Sequence, residues 1–201
     1  MKKIGIIGGT FDPVHRGHIS LAMDALRQAG LDEVMLMPAK LQPFKLNKDI
    51  SSAEDRIEML KLATEYQKGL TVSTVEMDME GVSYTQRTLD KIRKDMGGRA
   101  ELYFITGTDT YLKLGIWKDA DKLLKENSFI VGERPGCGGR ELRRCIREYE
   151  KEFGTKTLII DNKRLDISAT AIRKRVIAGE PVNDLVPEGV ERYIYEHGLY
   201  K

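Results

Sequence analysis

The stretch IGIIGGTFDPVHRGH, residues 4–18, decides the fold of this chain. Its apolar run, residues 4–7, ends in glycines, which is typical of a buried strand followed by a tight turn. Over residues 15–28 the apolar side chains recur at three- and four-residue spacing, which predicts an amphipathic helix that stops at Gly30. A second apolar run, residues 33–37, ends at Pro38. Together these segments predict a strand–helix–strand unit with a right-handed crossover.

The same alternation continues along the 201 residues. Further strands are predicted over 70–75, 102–105, 128–131 and 157–160. Helices are predicted after the Ser52 capping box, over 85–96 and 140–152, and from Ser168 onward, with short helices near 108–125. The pattern predicts an α/β fold with a doubly wound, mostly parallel sheet and helices on both faces. We expect a single domain over residues 1–201, with the C-terminal helical segment (about 168–201) packed on it.

Composition limits the classes of partner. Lys and Arg total 33 against 31 Asp and Glu, so the formal net charge is only +2, which argues against nucleic acid and against an anionic membrane as partners. No apolar run approaches the roughly 20 residues of a membrane helix, and the apolar start is too short for a secretory signal. Cys137 and Cys145 match no disulfide or metal-binding pattern, so a cytoplasmic location is expected.

The first candidate site is the turn at residues 8–18, beyond the first strand. Gly8 and Gly9 allow backbone N–H groups to approach an anion, and the next helix adds the partial positive charge of its amino terminus. His15 and His18, two of the three histidines in the chain, share one face of that helix. The turn matches neither the Walker motif nor the dinucleotide motif. A metal site is not predicted, because the sequence offers no third metal ligand beside these two histidines. The turn therefore predicts a site that binds a phosphate. Two alternatives stay open: a plain strand-to-helix turn, and a core or capping role for one of the two histidines.

The second candidate site is the sequence ISATAIR, residues 167–173. Ser168 as a helix N-cap and Thr170 in the first turn place hydroxyl groups beside free backbone N–H groups. Arg173, one turn further on, can reach a polyphosphate with its planar guanidinium. A second anion site is therefore predicted, with simple helix capping and a solvent-exposed arginine as the alternative.

The two motifs in this order resemble the signatures of the HxGH nucleotidyltransferase superfamily. Further segments resemble the bacterial nicotinate-nucleotide adenylyltransferases: PAKLQPFK (38–45), SYTQRTLDKI (83–92), ITGTDTYLKLGIWKDADKLL (105–124) and LVPEGVERYIYEHGLY (185–200). The resemblance implies a Rossmann-like fold and transfer of AMP from ATP to nicotinate mononucleotide in NAD biosynthesis. It also implies Mg²⁺ bound through the ATP phosphates rather than by protein side chains, and it is compatible with a homo-oligomer.

The resemblance also implies roles for individual residues. The residues expected to act on the reacting phosphates are His15, His18, Lys45 and Arg173. Those expected to bind ATP are Gly8, Gly9, Thr10, Phe11, Gly107, Asp109, Ser168 and Thr170. Those expected to bind nicotinate mononucleotide are Tyr84, Thr85, Trp117 and Arg134. Phe44 departs from the family pattern, which usually has histidine at this position. For two of the expected binding residues another role is possible from the sequence: a helix cap for Asp109 and a core position for Trp117.

The implied reaction suits these residue types. The nucleophile is a phosphate that is already anionic, so the protein has to align two anions and stabilise the charge on the leaving pyrophosphate. Cationic side chains and N–H donors do this without a general base. The alternatives are a sister enzyme that acts on nicotinamide mononucleotide, phosphopantetheine or FMN, and a non-catalytic nucleotide sensor on the same fold.

Overall fold

The computed structural model describes residues 1–40, 50–133, 139–162, 165 and 167–201, and within them six strands form one sheet. The strands are β1 (Lys2–Gly9), β2 (Glu33–Pro38), β3 (Leu70–Val72), β4 (Ala100–Gly107), β5 (Ser128–Glu133) and β6 (Lys156–Asp161). The helices are α1 (Arg16–Gln28), α2 (Ala53–Thr64), α3 (Thr85–Asp95), α4 (Thr108–Tyr111), α5 (Ala120–Glu126), α6 (Gly139–Phe153), α7 (Ala169–Ile177) and α8 (Glu188–Glu196). A 3-10 turn lies at Leu114–Ile116.

The strand order is β3-β2-β1-β4-β5-β6, and each of these neighbouring pairs is parallel. Ile6 at the centre of β1 lies opposite Met35 of β2 on one side and Phe104 of β4 on the other. The chain moves outward from β1 in one direction first and then crosses to β4, so the topological switch point lies between β1 and β4. The predicted doubly wound parallel sheet is confirmed.

Two hydrophobic clusters cover the two faces of the sheet, because alternate side chains of each strand point to opposite sides. Ile4 and Ile6 of β1 belong to a cluster with α3, α4, α5 and α6. Ile7 belongs to the other cluster, which contains α1, α2, α7 and α8. The C-terminal segment therefore packs on the same core as the first two helices.

The strand predicted over residues 70–75 is shorter than expected and ends at Val72. The chain turns directly afterwards, where the N–H of Met77 donates to the carbonyl of Thr74 at 2.8 Å. This local turn takes the backbone away from the ladder, and alternation of side chains alone did not indicate it.

The prediction of helix from Ser168 onward is wrong in one part. Helix α7 ends at Ile177, Gly179 takes a left-handed backbone with φ of 71°, and α8 begins only after Pro187. A glycine in this conformation ends a helix, and a proline favours the start of the next. Across the residues that the structure describes, no helix has both the length and the apolar character that crossing a bilayer requires.

Candidate active site

A cleft of about 510 Å³ opens at the carboxyl ends of β1 and β4, at the switch point of the sheet. We call it the first cleft. Two motifs far apart in sequence meet in it, the turn after β1 and the start of α7. The predicted residues that line it are Gly8, Gly9, Thr10, Phe11, His15, His18, Gly107, Asp109, Trp117, Ser168, Thr170 and Arg173.

The two histidines lie against each other at the start of α1. The rings of His15 and His18 stack with centroids 3.7 Å apart and planes inclined by 19°. His15 is the N-cap residue, and its backbone N–H donates to Nδ1 of His18 at 3.3 Å. Because Nδ1 of His18 accepts this bond, a neutral His18 ring carries its proton on Nε2. The capping role that the sequence left open is therefore real, and it fixes the orientation of a ring that lines the cleft.

The turn before these histidines is tightly packed. Phe11 is 2% exposed and has a left-handed backbone with φ of 52°, which is costly for a bulky residue. Its ring meets the ring of His18 edge-on at 4.9 Å. A Cβ added at Gly9 would lie 3.2 Å from the Phe11 ring, and one added at Gly17 would lie 3.1 Å from Nδ1 of His15. Glycine at these two positions leaves room for the aromatic rings.

The other wall of the first cleft is the start of α7. Ser168 is the N-cap, and its hydroxyl accepts from the N–H of Ala171 at 3.2 Å, as its residue type predicts. Nη1 of Arg173 donates to the carbonyl of Asp12 at 2.7 Å, and Nη2 donates to the hydroxyl of Thr170 at 3.4 Å. The side chain of Arg173 is 29% exposed, so its guanidinium reaches the cleft while it is tied to the turn.

A second cleft, of about 700 Å³, opens on the other side of the turn. Tyr84 and Thr85 line it at the amino terminus of α3, whose first turn contains no acidic residue. A helix start of this kind attracts an anion, because its first N–H groups have no partner within the helix. Trp117 lies in the wall as well and packs edge-on against Phe104, with ring centroids 6.2 Å apart.

The two clefts meet, since six residues line both of them: Gly8, Gly9, Phe104, Asp109, Thr110 and Trp117. Asp109 is exposed, and the N-cap of α4 is Gly107, so the plain capping role considered for Asp109 is wrong. Trp117 is partly buried: it packs on the core cluster that contains Phe104 and also lines both clefts. Two ligands, one in each cleft, would touch at the glycine turn.

Arg56 is a residue of this site that sequence reasoning missed. It is 3% exposed, and its Nη1 donates to the carbonyls of Thr10 (3.0 Å) and Ala39 (2.7 Å) while its Nε donates to that of Ser51 (3.2 Å). Burial lowers the pKa of the guanidinium, and the charge of Asp12 opposes this. Its position on the buried stripe of α2, at helical spacing from Met59 and Leu60, could have revealed it.

Two carboxylates were also missed. Asp12 is 3% exposed in the turn after β1, and one of its oxygens accepts from the hydroxyl of Tyr200 at 2.7 Å. Glu76 is 6% exposed in the wall of the second cleft and accepts from the hydroxyl of Thr88 at 2.8 Å. No local sequence pattern links Tyr200 to a turn 188 positions earlier.

Two of the predicted residues, Lys45 and Arg134, lie outside the described residues, as does Phe44. Among the described residues, no group of three His, Cys, Asp or Glu side chains is placed to hold a metal ion.

The family described as cytidylyltransferase-like matches residues 6–175. The chain is 40% identical to the probable nicotinate-nucleotide adenylyltransferase of Thermoanaerobacter sp. (strain X514), over 99% of this chain and 94% of that protein. It is 38% identical to the protein of the same name from Clostridium botulinum (strain Alaska E43 / Type E3), over 100% and 99% of the two chains.

A solved structure with the same architecture is that of Plasmodium falciparum nicotinic acid mononucleotide adenylyltransferase complexed with NaAD. Its TM-score is 0.81 at 22% sequence identity, and the match covers 100% of this chain and 98% of that one. A second structure of the Plasmodium enzyme, complexed with APC, gives a TM-score of 0.80. At this identity the likeness shows the fold.

Proposed function

The chain belongs to the cytidylyltransferase-like family, as a full-length relative of the nicotinate-nucleotide adenylyltransferases, and from this premise we propose that it transfers AMP from ATP to nicotinate mononucleotide. The products are nicotinate adenine dinucleotide and pyrophosphate, and the reaction belongs to NAD biosynthesis. The observation that carries the proposal is the pair of clefts that meet at Gly8 and Gly9. One nucleotide in each cleft brings a phosphate of the acceptor to the α-phosphate of ATP.

In this proposal ATP occupies the first cleft. The phosphate of the acceptor attacks the α-phosphorus, and the bond to the leaving pyrophosphate breaks. Arg173 and the hydroxyls of Ser168 and Thr170 hold the β- and γ-phosphates, because they lie together at the start of α7. His18 and His15 donate to the oxygens of the reacting phosphate, where charge develops. No base is required, since the attacking phosphate is already ionised.

Nicotinate mononucleotide occupies the second cleft. Its carboxylate is bound at the amino terminus of α3, where Tyr84 and Thr85 lie, and its pyridinium ring stacks on the indole of Trp117. An aromatic face attracts a cationic ring, and a helix start attracts a carboxylate. The same helix start has no comparable attraction for a neutral carboxamide.

We propose that Mg²⁺ enters with the ATP phosphates. The donor set of the described residues fits this, because it contains no cluster of three metal-ligating side chains. When bound, the ion neutralises charge on the pyrophosphate. We also propose a cytoplasmic location, because ATP is available there.

The test is release of pyrophosphate with ATP and Mg²⁺, with four acceptors compared at equal concentration. We expect nicotinate mononucleotide to be preferred over nicotinamide mononucleotide, phosphopantetheine and FMN. Faster release with phosphopantetheine or FMN would preserve the phosphate chemistry and overturn the assignment of the second cleft. Tight ATP binding without release for any acceptor would favour a nucleotide sensor.

A further inference from the structure

Tyr200 makes a long-range contact with Asp12, a residue that lines the first cleft. Its hydroxyl donates to Oδ1 of Asp12 at 2.7 Å, and its own backbone has φ of 64°, a left-handed conformation that is costly for tyrosine. Burial and the nearby charge of Asp12 raise the pKa of the Tyr200 hydroxyl, so this group remains a protonated donor. The proposed reaction assigns no role to this residue.

The carboxylate that Tyr200 binds interacts with two cations. Asp12 is 3% exposed, and its Oδ2 lies 4.0 Å from Nη1 of Arg173. The same Nη1 donates to the backbone carbonyl of Asp12 at 2.7 Å. The charge of Asp12 also acts on the buried guanidinium of Arg56, whose Nη1 and Nε donate to backbone carbonyls.

A buried carboxylate that lacks a donor turns to the nearest cation, because an uncompensated buried charge is costly. For Asp12 that cation is Arg173, whose separation of 4.0 Å is longer than a hydrogen bond. A direct pair with Asp12 would occupy guanidinium N–H groups that otherwise face the first cleft. The hydroxyl of Tyr200 satisfies the carboxylate at its other oxygen, Oδ1.

We propose that Tyr200 is a positioning residue for the polyphosphate site: by binding Asp12 it keeps the guanidinium of Arg173 available to the β- and γ-phosphates of a nucleoside triphosphate. The inference rests on the proposed function, because that function assigns Arg173 to these phosphates. Tyr200 therefore completes the binding site for ATP.

The test is Tyr200→Phe, which removes the hydroxyl and keeps the ring. We expect the dissociation constant for ATP, measured by titration calorimetry, to rise about tenfold, whereas that for AMP changes less than about twofold, because AMP lacks the phosphates that Arg173 binds. In turnover, KM for ATP should rise more than KM for the mononucleotide. Equal weakening of ATP and AMP binding would indicate a distorted cleft and overturn the proposal, and so would unchanged binding of both.

Two variants serve as controls. Tyr195→Phe removes an exposed hydroxyl from the same segment, one that donates to the carbonyl of Glu180 at 3.3 Å, and should leave ATP binding unchanged. Ser51→Ala removes a neighbouring hydroxyl, which acts to lower the pKa of the Tyr200 hydroxyl, and leaves the bond from Tyr200 to Asp12. A loss of ATP affinity in Ser51→Ala as large as that in Tyr200→Phe would contradict a role through Asp12.

A double-mutant cycle tests the route through Asp12. In Asp12→Asn the side chain is a neutral amide, which no longer competes with the phosphates for Arg173. Adding Tyr200→Phe to Asp12→Asn should therefore change the affinity for ATP less than twofold. If Tyr200→Phe reduces the affinity for ATP as much in Asp12→Asn as in the wild type, the proposal is overturned. If Asp12→Asn does not fold, the comparison of ATP and AMP binding by Tyr200→Phe decides. A wild-type chain that binds ATP but does not act on nicotinate mononucleotide would defeat the proposed function alone.

Discussion

At the scale of single residues, Gly17 shows how a position without a side chain determines the geometry of the site. It follows the N-cap His15 in the first turn of α1, and a Cβ there would lie 3.1 Å from Nδ1 and 3.2 Å from Cε1 of the His15 ring. That ring stacks on His18, so the displacement of one imidazole is transmitted to the other. The glycine of the H-x-G-H sequence is therefore a packing requirement of the paired rings.

We expect Gly17→Ala to lower turnover about tenfold or more, because misplaced catalytic groups are costly to the rate. The melting temperature should not fall, since alanine is favoured over glycine in a helix by at most about 1 kcal/mol. The matched control is Gly189→Ala, at the same position of α8, where a Cβ meets only Leu62 at 3.4 Å. Steady-state kinetics and thermal melts on both variants test this, and full activity of Gly17→Ala would contradict it.

The indole of Trp117 tests the assignment of the second cleft. Trp117→Ala should raise KM for nicotinate mononucleotide about tenfold, because it removes an aromatic face worth about 1–2 kcal/mol to a cationic ring. KM for ATP should change less, although Trp117 also lines the first cleft. Trp117→Phe, which keeps an aromatic face, is the control and should recover most of the affinity. Equal increases in both KM values would mean that the indole supports both clefts rather than the acceptor alone.

At the scale of elements, Glu33 connects three neighbouring strands at the amino end of the sheet. It lies at the start of β2, accepts from the hydroxyl of Thr71 in β3 at 2.6 Å and pairs with Lys2 of β1. Partial burial raises the pKa of the Glu33 carboxyl, but the bonds from Lys2 and Thr71 outweigh it, and the pKa lies below its ordinary value of 4.5. The folded state therefore binds the proton less readily than the unfolded state.

The sign of the pH dependence follows from this lowered pKa. The stability contributed by the Glu33 carboxylate is fully present above pH 4.5 and is lost as the pH falls through the lower folded-state value. We expect Glu33→Gln to melt about 3 °C below the wild type at neutral pH, and the gap to close on acidification. Thermal melts from pH 7 to about pH 3 measure it, with Glu150→Gln, an exposed position of α6, as the control. A gap that is independent of pH would show that the charge of Glu33 does not matter.

The order of elements was predictable because each strand and helix carries its own periodicity, and the carboxyl ends of parallel strands meet wherever the chain places them. The expectation that His18 and Ser168 act on the same nucleotide came from the resemblance to the nucleotidyltransferases, and the structure brings both residues to the first cleft. The break between α7 and α8 was not predicted, since apolar residues such as Val182 and Val186 keep a helix-like spacing through it. The buried stripe of α2 could have indicated Arg56, but only the folded chain shows which backbone carbonyls accept its hydrogen bonds.

At the scale of the whole molecule, the C-terminal segment has two roles. Arg173 and Tyr200 approach the first cleft, while fully buried side chains of the same segment, Val190 and Ile194 among them, join the cluster of α1 and α2. The same segment therefore contributes both to the first cleft and to the hydrophobic core. If the chain is one domain, the core under α8 and the core on the opposite face of the sheet should unfold together.

Ile194→Ala tests this prediction of a single domain. Ile194 is 0% exposed in α8, so its truncation should reduce the free energy of unfolding by about 3 kcal/mol. The control is Ile177→Ala, at a 69% exposed position of α7, which should reduce it by less than about 0.5 kcal/mol. Trp117, the only tryptophan, packs on the cluster of the opposite face. Denaturant unfolding followed by its fluorescence and by far-ultraviolet circular dichroism should therefore shift to the same lower midpoint. A fluorescence midpoint that stays at the wild-type value while the dichroism shifts would mean that the C-terminal segment unfolds as a separate unit.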